Sequence, residues 1–192
     1  MIYRTKKTLF IHVAVTLILL SCVNALYAVR DPSEYFNRPQ IGAWFGPITP
    51  IATTSSLVNT ALGGGVFFRY PTPLHLFKVG LDSSYQNFKS RGVNELTLVP
   101  VYGNLLFLIP IDLPLRFQLK AGAGGCYVYV KPDKVAQWDI MFMAGFEMSF
   151  PAGRLVNIGL RIDYIFLYED YLNGASKNGH IINAGITLYF NI

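Results

Sequence analysis

The chain ends in a strict alternation of two kinds of side chain, from Ile182 to Ile192. One set is Ile182, Ala184, Ile186, Leu188, Phe190 and Ile192, and the other set is Asn183, Gly185, Thr187, Tyr189 and Asn191. Because successive side chains of an extended strand point to opposite faces, this pattern predicts a β-strand with one apolar face and one polar or small face. A sheet built from such strands has different surroundings on its two sides.

Seven earlier segments, all after residue 39, are also predicted to be strands, most of them from the same period. They cover residues 41–45, 65–70, 77–86, 96–108, 115–127, 138–150 and 156–166. The fourth is nearly all apolar and contains Pro100, so the pattern does not assign its faces, and the proline is expected to leave one ladder bond unmade. With the last segment they predict eight strands in one domain, because no Gly, Ser or Pro linker divides the chain.

The composition is unusually apolar for a protein dissolved in water. Hydrophobic residues make up 52% of the chain and charged residues only 14%, against about 25% charged in an average soluble domain. After the N-terminus, no apolar run approaches the roughly 20 residues that a membrane-spanning helix needs. The excess apolarity is therefore spread over short strands.

The predicted connections alternate in length. Those after the second, fourth and sixth segments are tight, at residues 71–73, 110–114 and 151–154, and those after the others are longer, at 47–61, 89–95, 131–136 and 169–179. Short turns at one end and long loops at the other are typical of bacterial outer-membrane barrels, whose short turns lie in the periplasm. The predicted fold class is therefore all-β, a closed eight-stranded antiparallel transmembrane barrel over residues 40–192.

The N-terminus has the layout of a secretory signal peptide. Three basic residues within the first seven positions precede an apolar run over residues 9–20, and small or apolar residues follow at 23–25. We expect cleavage after Ala25, or alternatively after Ala28, which leaves residues 26–39 as a short periplasmic segment. The remaining 13 basic and 11 acidic residues are nearly balanced, which gives no support for nucleic acid as a partner.

Two alternatives stay open at this end of the chain. Leu19-Leu20-Ser21-Cys22 resembles a lipobox, in which Cys22 would be lipidated and become the mature N-terminus. An uncleaved helical anchor is the other, since residues 8–29 carry no charge, although their apolar core is short for a span. If Cys22 leaves with the signal, Cys126 has no partner for an internal disulfide.

Period two alone does not say whether the apolar face meets lipid or the core of a soluble barrel. The apolar faces are broad, aromatic and almost free of charge, whereas the opposite faces are rich in Gly, Ser, Asn and Gln. Since an Arg or Lys at mid-bilayer costs roughly 2–4 kcal/mol, we expect the apolar side to face lipid. Nine charged side chains then point into the lumen: Arg69, Lys78, Asp82, Arg116, Lys120, Asp139, Glu147, Arg161 and Asp163.

The interior of an eight-stranded barrel is only just wide enough for its own side chains. Opposite charges confined there should pair and hydrogen-bond, because an unpartnered buried charge is strongly unfavourable. The sequence therefore predicts a polar network that plugs the lumen.

The last strand also carries a short sequence pattern that spans both of its faces. It has a polar residue, a glycine and two hydrophobic residues separated by one position, namely Asn183, Gly185, Leu188 and Phe190. This pattern resembles the β-signal of the small outer-membrane barrels of the OmpA, OmpX and OmpW type, although two more residues follow here. Residues 99–101 and 121–124 are similar to the Pro-containing and Gly-rich strands of those barrels. The resemblance implies the outer membrane as location and its lipid and the barrel-assembly machinery as partners, and it says little about activity.

These features favour a structural or surface-contact barrel whose long loops meet host or surface ligands. The OmpW resemblance implies an alternative, a conduit for small hydrophobic compounds, which predicts a lateral gap or an apolar inner funnel. A soluble or lipidated periplasmic barrel is a third alternative.

Some barrels of this size are lipid A deacylases, and an enzyme of that kind needs a His and a Ser close together near the outer rim, with a carboxylate beside them. His75 falls in a predicted periplasmic turn, and no serine stands two residues after His180. We therefore predict no catalytic site, no metal site and no cofactor.

Overall fold

The structure is a computed structural model that describes residues 37–56, 58–90, 95–111, 113, 115–132, 134–153, 155–168 and 178–192. The predicted signal peptide, residues 1–25, and the predicted lipidation site Cys22 lie outside these residues. In the described part of the chain, no helix is long and apolar enough to cross a membrane.

Eight antiparallel strands close into one barrel, as the alternation predicts. They are β1 (Gln40–Pro50), β2 (Ala61–Pro71), β3 (Phe77–Lys89), β4 (Glu95–Ile109), β5 (Arg116–Lys131), β6 (Val135–Pro151), β7 (Val156–Tyr168) and β8 (Gly179–Asn191). Each strand pairs with its neighbours in sequence, and β8 closes on β1. Every strand therefore has a partner strand on both sides, so the sheet has no open edge, which is what a sheet in hydrocarbon requires.

The strands are strongly staggered around the wall. Successive hydrogen-bonded partners run from Gln40 through Arg69, Gly80, Asn104, Gly122, Met143, Ile165 and Ile181 back to β1 at Pro50. One circuit around the wall therefore starts at the first residue of β1 and returns to its last residue. Closing a barrel requires tilted strands with such a fixed stagger. As a result, side chains far apart in sequence meet inside.

The two ends of the barrel differ. The turn end holds the start of β1, the end of β8 and the connections 72–76, 110–115 and 152–155. The loop end holds the connections 51–60, 90–94, 132–134 and 169–178. The predicted long loop at 131–136 is wrong, since Val130 pairs with Val135 and Tyr129 with Ala136, and only residues 132–134 connect β5 to β6. Continued pairing of β-branched and aromatic residues extends this hairpin where the sequence pattern suggested a loop.

The outer surface is an apolar belt. Large hydrophobic side chains from all eight strands are exposed, among them Phe45, Val66, Leu81, Leu105, Leu119, Phe142, Ile162 and Ile186. Among the described strand residues, the outward-facing Asp, Glu, Lys and Arg are Lys89, Glu95 and Lys131, all at the loop end. The apolar phase therefore points outward, as predicted, which favours the membrane barrel over the soluble alternative.

The structure assigns the faces of β4, which the sequence pattern did not. Leu98, Tyr102 and Asn104 are buried inside the barrel, whereas Val101 and Leu105 are exposed outside. The ladder between β3 and β4 is interrupted between the pairs Ser83–Val101 and Gln86–Leu98. Pro100 lies in this gap and has no N–H to donate, so the expected missing ladder bond is confirmed.

Candidate functional site in the barrel lumen

Most of the charged residues predicted to face the lumen are buried there. Eight of the nine are at most 7% exposed: Arg69, Lys78, Asp82, Arg116, Lys120, Glu147, Arg161 and Asp163. The ninth, Asp139, is on the inward phase but only half-buried near the loop end, where Gln137 Nε2 donates to both of its oxygens at 3.1 Å. Met141 and Met143 stand between it and Glu147 on β6, so Asp139 does not join the other acids.

One part of the lumen network is built around Glu147. Arg69 donates from Nη1 and Nη2 to the two carboxylate oxygens of Glu147, at 2.9 and 2.6 Å. Lys120 Nζ lies 3.8 Å from Glu147 Oε2 and 2.7 Å from Asp163 Oδ1. Lys120 therefore links the Arg69–Glu147 pair to a second pair on β7.

The other part is built around Arg161. Its Nε donates to Asp163 Oδ2 at 2.6 Å, and its Nη2 contacts the same oxygen and donates to Asp82 Oδ2 at 3.1 Å. Asp82 also accepts from the Tyr102 hydroxyl at 3.2 Å and from Asn104 Nδ2 at 3.0 Å. Arg161 thus joins β7 to β3 and β4.

We call this continuous cluster the central network, and it comprises Arg69, Asp82, Tyr102, Asn104, Lys120, Glu147, Arg161 and Asp163. It contains three cations and three carboxylates and draws on every strand from β2 to β7. Balanced charge and dense hydrogen bonding are the conditions under which ionised groups are tolerated away from water.

Aromatic rings extend the network to the remaining two strands. The guanidinium of Arg69 lies 4.0 Å from the ring centre of Phe67 and 5.5 Å from that of Tyr189 on β8. The guanidinium of Arg161 lies 4.9 Å from the ring of Trp44 on β1. Such cation–π contacts are strongest where the cation is desolvated, as it is here.

Inward-facing glycines leave the space that the long charged side chains occupy. A Cβ on Gly145 would fall on Asp163 Oδ1, and a Cβ on Gly80 would fall on Asn104 Oδ1. The small residues of the polar phase are therefore part of the network's geometry.

The loop-end half of the lumen is apolar, which the sequence reasoning missed. We call this cluster the apolar plug: Ile48, Val58, Phe88, Leu98, Cys126, Val128, Met141, Met143, Ile165, Leu167 and Ile181, all at most 6% exposed. The signal was present, because inward positions of β5 to β7 near the loop end carry Val, Met, Ile and Leu. At these positions the inward and the outward side chains are both apolar, so the sequence no longer alternates between apolar and polar residues.

The first loop covers the apolar plug. A short 3-10 helix, Ala52–Ser56, follows β1, and Val58 then inserts its side chain into the plug. The loop is held by hydrogen bonds to β8 and β3: Ile51 N to His180 O at 2.9 Å, His180 N to Thr54 Oγ1 at 3.0 Å, and Asn59 N to Lys89 O at 3.1 Å.

The two described histidines lie outside the lumen. His75, at the turn end, contacts Asn37 Nδ2 through Nδ1 at 3.3 Å, and His180, on the outer face near the loop end, contacts the Tyr164 hydroxyl at 2.7 Å. Within the described residues, no group of three or more His, Cys, Asp and Glu side chains is placed to hold a metal ion.

The predicted assembly signal lies across both faces of β8. Leu188 and Phe190 point outward and are 44% and 46% exposed, whereas Asn183 is buried in the lumen. Gly185 faces inward, and a Cβ there would lie 2.8 Å from Phe45 O. The hydrophobic half of the pattern is therefore on the lipid side of the closing strand.

Solved structures with this fold include that of Neisserial surface protein A, which aligns with a TM-score of 0.66 at 9% identity over 80% of this chain and 97% of that one. The outer membrane protein OprG from Pseudomonas aeruginosa aligns with a TM-score of 0.50 at 12% identity, over 81% of this chain and 97% of that one. The chain has the fold of the small outer-membrane β-barrels. The resemblance to the OmpA, OmpX and OmpW type is confirmed at the level of the fold. No family model and no curated protein matches the sequence.

The fold and the apolar belt together give the location. A closed barrel whose exterior is hydrocarbon-like, and whose ionised groups are held inside, requires a bilayer around its strands. The protein is therefore an outer-membrane protein, as the sequence predicts.

Proposed function

We propose that the protein is a non-enzymatic outer-membrane barrel that closes its own lumen and presents its loop end as a contact surface outside the cell. The central network is the observation that carries this proposal. Its six charged side chains are buried and paired across a barrel too narrow to hold much more than its own side chains. The apolar plug adds a layer of packed apolar side chains on its loop side, which opposes the passage of hydrated ions.

Planar-bilayer recording tests the closed lumen. We expect the purified monomer to give no large, stable openings, and we expect Arg69→Ala with Glu147→Ala to open more often, because that double variant removes side-chain volume from the centre. Large, stable channels from the unmodified protein would contradict the proposal.

The contact role requires the loop end to face outward from the cell. In barrels of this kind the short turns lie in the periplasm, so Ser55 in the first loop is expected to be extracellular and His75 periplasmic. Both residues are exposed. In a Cys126→Ala background, a membrane-impermeant maleimide should label Ser55→Cys on intact cells and label His75→Cys only after lysis. The reverse pattern would place the loops inside and remove the basis for a surface role.

The partners follow from the same geometry. Outer-membrane lipid contacts the belt, and the barrel-assembly machinery is expected to recognise Leu188 and Phe190 on the outer face of β8. Host or surface ligands would meet the loop end, where residues 51–60 and 169–178 form the longer connections.

A conduit for small hydrophobic compounds is the second candidate, and two observations favour it. The loop-end lumen is lined by apolar side chains, and the β3–β4 ladder is interrupted beside Pro100. A conduit predicts saturable binding of a polarity-sensitive naphthylamine dye to the purified protein, reduced by Leu98→Asn in the plug. The contact barrel predicts no saturable binding, because the plug is filled by its own side chains.

A further inference from the structure

The lumen has a second group of buried polar side chains on the turn side of the central network, and one of them, Gln118, pairs across the ladder with Glu147. We call Lys78, Arg116, Gln118 and Asn157 the turn-end cluster. They are between 0% and 7% exposed and come from β3, β5 and β7. Arg116 Nη1 donates to Asn157 Oδ1 at 3.5 Å.

The amide of Gln118 is the unusual member of this cluster. Its side chain is fully buried, yet neither Nε2 nor Oε1 has a hydrogen-bond partner, and Asn157 Nδ2 has none either. A buried amide without a partner keeps its full desolvation penalty. Donors in this state, beside two basic side chains, suit a ligand that brings acceptor oxygens.

The charge distribution points to the same kind of ligand. The central network balances its own charges, and two further basic side chains, Lys78 and Arg116, lie on its turn side. Between the network and the turns, the described inward faces of the strands carry no Asp or Glu. Lys78 donates to Arg38 O at 2.9 Å and Arg116 contacts Asn157, so an anion would add to existing contacts.

We propose that the turn-end cluster binds an oxyanion, a carboxylate or a phosphate, which accepts from Gln118 Nε2 and Asn157 Nδ2 beside Lys78 and Arg116. The anion has two sources with the same chemistry. It is either free in the periplasm or a carboxylate of this chain, since Asp31 and Glu34 precede β1 and Asp112 stands between β4 and β5. This site is at the opposite end of the barrel from the proposed contact surface.

The side-chain amide signal of Gln118 is the direct probe. The processed chain is folded in detergent micelles, the signal is assigned by its loss in Gln118→Met, and inorganic phosphate is added at constant pH and ionic strength. A free anion predicts a saturable shift whose apparent affinity falls by at least about tenfold in Lys78→Met and in Arg116→Met, because removing one partner of a buried charge contact is costly. Lys89→Met, which changes an exposed lysine at the loop end, should leave the shift unchanged.

A carboxylate of this chain predicts a different result. Phosphate then leaves the unmodified protein unaffected, and one of Asp31→Asn, Glu34→Gln or Asp112→Asn both shifts the Gln118 signal and makes it respond to phosphate. The proposal is overturned if the signal ignores phosphate in the unmodified protein and in all three variants, or if a phosphate shift survives at full affinity in Lys78→Met or Arg116→Met. If the Lys78→Met and Arg116→Met variants both fail to fold, the binding of a free anion is tested by Tm instead. Phosphate should raise the Tm of the unmodified protein and leave the Tm of Gln118→Met unchanged.

Discussion

Arg69 on β2 and Glu147 on β6 bind each other across the width of the barrel, since three strands lie between β2 and β6 in either direction around the wall. Their two hydrogen bonds measure 2.9 and 2.6 Å, and both side chains are fully buried. A bidentate pair of this kind fixes orientation as well as distance. It therefore holds opposite walls of the barrel in register at the level of the central network.

Arg69→Met should be strongly destabilising. It leaves Glu147 buried with Lys120 at 3.8 Å as its remaining ion-pair partner, and breaking a buried pair on one side costs about 3–5 kcal/mol. The free energy of unfolding, measured by urea titration in detergent micelles, should fall by that amount.

A double variant tests whether the two buried charges act as a pair. Arg69→Met with Glu147→Met removes both charges, so it should recover a large part of the loss. Lys131→Met, which breaks the solvent-exposed contact with Glu95, should have no measurable effect. A double variant that is less stable than Arg69→Met would show that the pair does not act as a unit.

Gly145→Ala should destabilise the barrel from the inside. The added Cβ would fall on Asp163 Oδ1 and would lie 3.1 Å from Ile162 O, and overpacking of this kind costs roughly 1–3 kcal/mol. Gly103→Ala is the matched control, because its Cβ would meet only Gly80 O, at 3.9 Å, on the open outer face. Equal stability of the two variants in urea titrations would contradict the proposed role of Gly145.

The sequence predicted the faces of the strands much better than the partners inside. Arg161 and Asp163 stand on the inward phase of β7, as period two requires, because side-chain direction is a local property of the strand. The pairing of Arg69 with Glu147 depends on the stagger of the closed sheet, which no local pattern encodes. For this reason eight of nine predicted lumen residues are buried, while their contacts were not predictable.

The apolar plug shows the limit of the pattern more sharply. Met141 and Ile165 face the lumen although they are as apolar as the lipid side, since the plug and the bilayer both exclude water. Tyr102 was missed for a related reason: it lies on β4, where continuous apolarity hid the alternation. The buried charged side chains lie in the middle and at the turn end of the lumen, and the apolar plug fills the loop end.

Ile186→Arg should test the contact between the belt and lipid. Ile186 is 60% exposed on the outer face of β8, and an arginine at mid-bilayer costs roughly 2–4 kcal/mol in a transmembrane barrel. Leu62→Arg changes an equally exposed residue near the loop end, at 64%, where the same change costs about 0–1 kcal/mol. Unfolding in lipid vesicles should show this difference, and similar costs at both positions would indicate that the belt does not span a bilayer.

Val58→Ser should loosen the first loop without unfolding the barrel. Val58 is only 6% exposed and anchors residues 51–60 in the apolar plug, and a serine there would bury a hydroxyl among apolar side chains. Hydrogen exchange at Ile51 N and Asn59 N should accelerate, because their bonds to His180 O and Lys89 O depend on loop closure. Asn59→Ser, which changes an exposed side chain, should leave exchange at Ile51 N unchanged.

Phe190→Ala should impair assembly in cells more than it impairs stability. Phe190 is 46% exposed on the outer face of β8, so its truncation removes little packing, but it removes the aromatic residue of the predicted assembly signal. Phe68→Ala is a close match, because Phe68 is 45% exposed on the outer face of β2 and lies outside the signal. Both variants should refold from urea into micelles to the same extent, while only Phe190→Ala should lower the amount of heat-modifiable barrel in the outer membrane, by several-fold. Equal losses for the two variants in cells would mean that the assembly machinery does not read Phe190.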